Sequence, residues 1–308
     1  MPLIISNAPH LGSKVTTPYV MRQVILALLP ASIASVYFFG PKAIILIANC
    51  VLTAVITEGV ILRIRKLPSV INDYSASLTG LLLALILPPS IRWYAATLGT
   101  IFAILVGKHL FGGLGSNIFN PALIGRAFLM AAYPKMLTTF VKPNSVDAVT
   151  TATPLATLKF SQELTPIKEL FFGNISGSLG ETSALLLILG GIYLLVRNIA
   201  DWRIPLTLLL TTVIISIIGF AADPLKGSVL FNLFSGGLMI GAFFMATDPA
   251  TTPITKKGRY IFGVSCGLLI MIIRYFSGLP EGVMYAILFM NAFTPLINRY
   301  TKPKAFGT

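Results

Sequence analysis

Three threonines in the stretch Asp147-Ala148-Val149-Thr150-Thr151-Ala152-Thr153-Pro154 offer oxygen nucleophiles within four positions. By itself the stretch reads as a Thr- and Ala-rich turn ended by proline, which loops often contain. A second candidate is the corner Gly112, Gly113, Gly115, followed by Ser116, Asn117, Phe119, Asn120 and Pro121. Glycines let a backbone come close to a ligand or to another helix, and the amides that open a helix favour an anionic or polar group. A tight interhelical turn would need the same residues. Asp248 ends an apolar run just before Pro249-Ala250-Thr251-Thr252-Pro253. Ionisable groups inside apolar spans are costly and are therefore candidates for function; Glu58, Arg126 and Arg274 qualify in the same way. The alternative for each is an interfacial side chain that snorkels or pairs. Cys50 and Cys266, like His10 and His109, are too few and too scattered for a metal motif, a haem or a disulfide framework, so no metal site is expected.

The elements that must hold these residues follow from composition. Of 308 residues 55% are hydrophobic and only 11% charged, with a net charge of +13. Soluble domains carry roughly 25% charged residues, and so few charges cannot cover a soluble surface of this size. The basic residues do not form a nucleic-acid face either. They sit in short clusters between apolar runs, such as Arg63, Arg65 and Lys66, or Lys256, Lys257 and Arg259. Nucleic acid is thus not an expected partner, whereas membrane lipid is.

Apolar runs recur near 22–40, 43–62, 75–89, 93–110, 119–134, 182–198, 204–222, 230–247, 259–276 and 281–298. Each can cross a hydrocarbon core of about 30 Å, or half-cross it as one of a pair. The expectation is an all-α integral membrane fold with about ten transmembrane helices. The positive-inside rule, with Lys108 counted among the inner-loop residues, places both termini in the cytoplasm of a chain set in the cell's inner membrane. The long polar stretch Lys135 to Glu181 then faces outside. Thr79-Gly80-Leu81 to Leu87-Pro88-Pro89 and Gly236-Gly237-Leu238 to Thr247-Asp248-Pro249 look like broken half-helices five spans apart. An odd number of spans per repeat makes the two halves inverted. The chain then divides into a first transmembrane repeat, 1–134, an outer loop, 135–181, and a second repeat, 182–308. Such a repeat with broken helices also suits a secondary transporter or channel of the urea-transporter-like kind, and a fold alone does not choose between functions.

Several of these stretches also resemble one family. Asp147 to Thr153 resembles its flavinylation motif, an Asp, two free positions, Ser or Thr, a small residue, Ala or Ser, then Thr. Gly107-Lys108 through Asn120-Pro121-Ala122, Ser75-Ala76-Ser77-Leu78-Thr79-Gly80, Met245-Ala246-Thr247-Asp248-Pro249-Ala250-Thr251 and Gly278-Leu279-Pro280-Glu281-Gly282-Val283 resemble further signatures of it. It is the NqrB/RnfD family, which joins a membrane component of the Rnf complex to its relative in the sodium-pumping NADH:quinone reductase. The resemblance covers essentially the whole chain, and the short segment before the first span favours the Rnf branch. It implies that a flavin transferase links the phosphate of FMN to the Thr153 hydroxyl as a phosphodiester, with Asp147 and Thr150 as motif positions. It also implies electron transfer between reduced ferredoxin and NAD coupled to Na⁺ or H⁺ movement, in company with the other Rnf subunits, RnfA, RnfB, RnfC, RnfE and RnfG. For a second, noncovalent flavin such as riboflavin, the places to look are the corner with Gly112, Gly113, Asn117 and Asn120 and the corner with Asp248 and Thr251. Nucleotide and ferredoxin sites belong to partners, since no GxGxxG or P-loop is present here.

Overall fold

The computed structural model describes residues 15–67, 71–143 and 150–303. Helices dominate it. The first half runs α1 (Thr17–Phe39), α2 (Pro41–Ile64), α3 (Ser75–Leu85), α4 (Trp93–Phe102), α5 (Pro121–Ala132) and the short α6 (Pro134–Leu137). A π-helical turn, Ala103–His109, continues α4. The segment between the halves holds a small antiparallel ladder of β1 (Phe140–Val141) and β2 (Thr150–Thr151), then α7 (Pro154–Ser161) and α8 (Ile167–Phe172). The second half comprises α9 (Ala184–Val196), α10 (Arg203–Ala222), α11 (Val229–Phe234), α12 (Leu238–Ile240), α13 (Lys256–Phe276) and α14 (Val283–Thr301). Another π-helical turn, Gly241–Met245, extends α12.

The chain is a multi-pass membrane protein. Helices α1, α2, α10 and α13 are each long and apolar enough to cross a bilayer, and shorter apolar helices accompany them. Their outward side chains are apolar as well. Ile33, Ile45, Ile56 and Ile64 of α1 and α2 are all exposed, a pattern that lipid rather than water accommodates.

All ten expected segments coincide with helical structure, and the differences have local causes. The third ends at Leu85, because Pro88 and Pro89 cannot supply ladder donors and the residue before each is pushed out of the helical region. With 11 residues at about 1.5 Å each, α3 covers only half a bilayer. The eighth breaks at Ser235-Gly236-Gly237, where Gly236 has φ +65°. Gly80 is where α3 meets α2: a Cβ there would lie 2.6 Å from the Cys50 carbonyl oxygen, so only glycine permits this approach.

The two halves pack by the same scheme. In the first, α2 meets α3 and α4, and α4 meets α5; in the second, α10 meets α11 and α13, and α13 meets α14. Between halves the first helices meet, α1 on α9, and so do the fifth, α5 on α14. The segment between the halves covers one end of this bundle with a core of its own, Leu155, Leu158, Leu170 and Ile175 against Phe231 of α11.

Candidate functional site

Asn120 and Pro121 open α5 in the manner their types dictate. The Asn120 side chain accepts from the Ala122 and Leu123 amides at 3.1 and 3.3 Å, and Pro121, which has no N–H to satisfy, takes the first helical position. Asn120 Nδ2 then donates to the Met245 carbonyl at 3.4 Å, tying the first corner to the end of the second half's π turn. Asn117 is held by its neighbours, accepting from the Gly115 amide at 3.1 Å and donating to the Phe119 carbonyl at 3.3 Å. Gly112, Gly113 and Gly115 have φ of +118°, +103° and +90°, values that a side chain would strain.

These two corners, chosen separately in the sequence, form one site. A small cavity of about 60 Å³ is bordered by Ser75, Thr79, Lys108, Asn117, Asn120 and Asp248. A wider one of about 570 Å³ adjoins it, sharing Met21, Leu114, Asn117, Asp248 and Pro249, and adds Thr251, Asn291 and Thr294. Asp248 Oδ1 accepts from the Ala250 amide at 3.2 Å. Gly112 and Gly113 shape the corner without lining either cavity; Gly115 lines the wider one.

Asn291 of α14 escaped the sequence reading. It is 0% exposed, and neither its amide nitrogen nor its oxygen finds a partner among the described residues. A buried amide left so costs about 1–3 kcal/mol or more, which marks the place as one that expects a polar group. An asparagine within an apolar run was the available signal.

Lys108 needs a correction. Rather than sitting in an inner loop, it is 2% exposed within the π turn, and its ammonium reaches Glu58 Oε1 of α2 and Ser75 Oγ of α3. Opposite charge on a neighbouring span holds it inside, so it contributes nothing to the charge count that orients the chain. His109 Nε2 lies 3.3 Å from the same Glu58 oxygen.

Thr153 lies elsewhere. It is the N-cap of α7, 5% exposed, and its Oγ1 accepts from the Ala156 amide at 3.3 Å. Thr151 donates to Ser176 Oγ at 2.6 Å, while Thr150 contributes its backbone to the ladder with Val141. Asp147 falls outside the described residues. Helix α7 is fastened to the bundle by Lys159, whose ammonium donates to the carbonyls of Arg274 at 3.1 Å and Leu279 at 3.0 Å, and also to that of Ser277. A cation on the last carbonyls of α13 is where the helix dipole favours it. Thr251 and Thr252 precede the first residue of α13, so the cavities and the Thr153 segment occupy opposite ends of this 21-residue helix. At about 1.5 Å per residue they stand roughly 30 Å apart.

The sequence model of the NQR2, RnfD, RnfE family matches residues 4–307. The chain is 46% identical to the D subunit of the Na(+)-translocating ferredoxin:NAD(+) oxidoreductase complex of Acetobacterium woodii, over 99% of this chain and 95% of the relative. It is 45% identical to the D subunit of the proton-translocating ferredoxin:NAD(+) oxidoreductase complex of Clostridium ljungdahlii, over 99% and 96%. The D subunit of the ion-translocating oxidoreductase complex of Shewanella amazonensis is 38% identical over 98% and 97%.

Proposed function

This chain belongs to the NQR2, RnfD, RnfE family, and on that footing we propose that it is the membrane subunit of a redox-driven ion pump. In this reading it passes electrons between ferredoxin and NAD through FMN esterified to Thr153, with coupled movement of Na⁺ or H⁺. It acts within a complex with the other Rnf subunits, in the inner membrane, with both termini cytoplasmic and the two halves inverted. The observation that carries the proposal is the agreement of Asp147 to Thr153 with the flavinylation pattern, in a chain similar to the D subunits of these complexes along its whole length. The matching pair of packing schemes supports the repeat.

The residues present suit the group. An ester at Thr153 Oγ1 would put the phosphate beside the first turn of α7, where the helix dipole favours an anion. The flavin would supply the one- and two-electron chemistry that no side chain here provides. The chain's own part is to fix that group. Lys159 holds α7 on the end of α13, and Leu155 and Leu158 bury its inner face. Because Thr153 is buried once α7 is seated, the transferase must reach it before the outer segment packs down. At the other end, Asn117, Asp248 and Asn291 are the residues that would hold a noncovalent flavin, with the unpaired Asn291 amide available for a polar contact.

Tandem mass spectrometry of the 150–161 peptide tests the attachment. The added mass of FMN should fall on Thr153, survive in Thr153→Ser, and vanish in Thr153→Ala but not in Thr151→Ala. An adduct on Thr150 or Thr151 would relocate the site. A colourless protein with no adduct, moving solute unaided in liposomes, would favour the transporter reading instead.

A further inference from the structure

Glu181 closes the outer segment just before α9, and Glu281 sits in the turn between α13 and α14. The fold gathers their carboxyl groups on one arginine and beside one pair of adjacent glycines. Both are largely enclosed, at 3% and 18% exposure. Arg126 of α5 serves both: Nη2 donates to Glu281 Oε2 at 2.9 Å, and Nη1 lies 3.6 Å from Glu181 Oε1. The Ser178 amide reaches Glu181 Oε2 at 3.5 Å. The Oε1 atom of each carboxyl is buried and receives no hydrogen bond from any described residue. Both of these oxygens border the same break in the eighth segment. A Cβ at Gly236 would lie 2.9 Å from Glu281 Oε1, and one at Gly237 would lie 3.0 Å from Glu181 Oε1.

Each carboxyl thus keeps one buried oxygen that no described donor reaches, on either side of the same glycine pair. If both were ionised they would repel in a medium that screens poorly, whereas one proton converts the clash into an O–H donating to a carboxylate. Among the described residues Arg126 alone stands within ion-pair distance of the two carboxyls; Arg274 is a second cation close by, but its Nη1 and Nη2 donate to the Asn232 and Ser235 carbonyls at 2.5 and 2.9 Å. Tyr285 of α14 stands near Arg126 and completes the titratable surroundings.

We propose that Glu181 and Glu281 hold one proton between them, forming a buried proton-binding site where α5 of the first half meets the second half. The site lies directly beneath α7, since Leu155 Cδ1 approaches within 2.7 Å of the Cβ position at Gly236 that Glu281 also borders. Negative charge arriving on α7 would tighten the proton, and its departure would loosen it. The shared proton itself does not depend on what Thr153 carries.

Infrared spectra of the full chain in its complex, at neutral pH, test this. The expected result is a carbonyl band of a protonated carboxylic acid that moves in deuterium oxide and again when glutamate is labelled with carbon-13. It should be lost in both Glu181→Gln and Glu281→Gln, shifted in Arg126→Lys, and kept in Thr153→Ala. A wild-type spectrum without a glutamate-labelled acid band overturns the proposal, with no variant needed. So does a band that stays unchanged in both Gln variants or in Arg126→Lys. Loss of the FMN adduct with the band intact would defeat only the functional reading above.

Discussion

Lys108 and Glu58 form an ion pair whose two side chains are each 2% exposed. Lys108 also donates to Ser75 Oγ, which in turn donates to Asp73 Oδ1, so one polar chain joins α2, the π turn and the start of α3. Removing one member of a buried pair strands the other and typically costs about 3–5 kcal/mol. Glu58→Gln and Lys108→Met should each lower the thermal midpoint sharply, and the double variant should be more stable than the summed losses imply. Strictly additive losses in the double-mutant cycle would show that the two groups are not coupled.

A cysteine at Ser161, an exposed position at the end of α7, should react with an impermeant thiol reagent in intact cells. The native thiols Cys50 and Cys266 are both buried and should give little background. Labelling that appears only after lysis would place the outer segment in the cytoplasm.

Asn291→Leu removes the unpaired amide that faces the wider cavity without adding bulk of a different order. If that amide holds a noncovalent flavin, flavin released from the variant by denaturation should drop severalfold while the covalent adduct stays. Asp248→Leu should lower turnover more than assembly. Full noncovalent flavin in the Asn291 variant would leave its buried amide without a function.

Asp201, in the loop between α9 and α10, provides a pH test. Burial pushes its carboxyl up, but the Arg203 amide at 2.9 Å and the Arg259 and Arg203 guanidiniums outweigh this and hold it below the usual range. A depressed acid contributes stability above its unfolded pKa, about 3.9 for aspartate, and the contribution fades as pH falls through the lowered folded value. Wild type should therefore exceed Asp201→Asn in stability at neutral pH, and the two should converge in acid. A gap that is constant over the whole range would mean that the charge contributes nothing.

Periodic apolar runs made the ten segments legible, and Asn120-Pro121 marked a helix start that the fold honours. The two corners that line the cavities stood out as well, because glycine, proline and a lone acid are conspicuous in apolar sequence. Their meeting was not: Asn120 and Met245 are 125 positions apart. Lys108 was misplaced for a related reason, since its partner Glu58 lies 50 positions upstream and no local pattern points to it. The meeting of Glu181 and Glu281 on Arg126 was not legible either, because one ends a polar stretch and the other opens a span 100 positions later, both ordinary places for an acid.

The three carbonyls that Lys159 grips at the end of α13 make the outer segment a bracket bolted to the spans rather than a swinging arm. If Thr153 carries the proposed flavin, that group keeps a fixed bearing, and a redox partner has to travel to it and dock. On that reading the pace of exchange would be a property of the visitor's approach, sensitive to ionic strength, and Lys159→Met should blur the berth without emptying it.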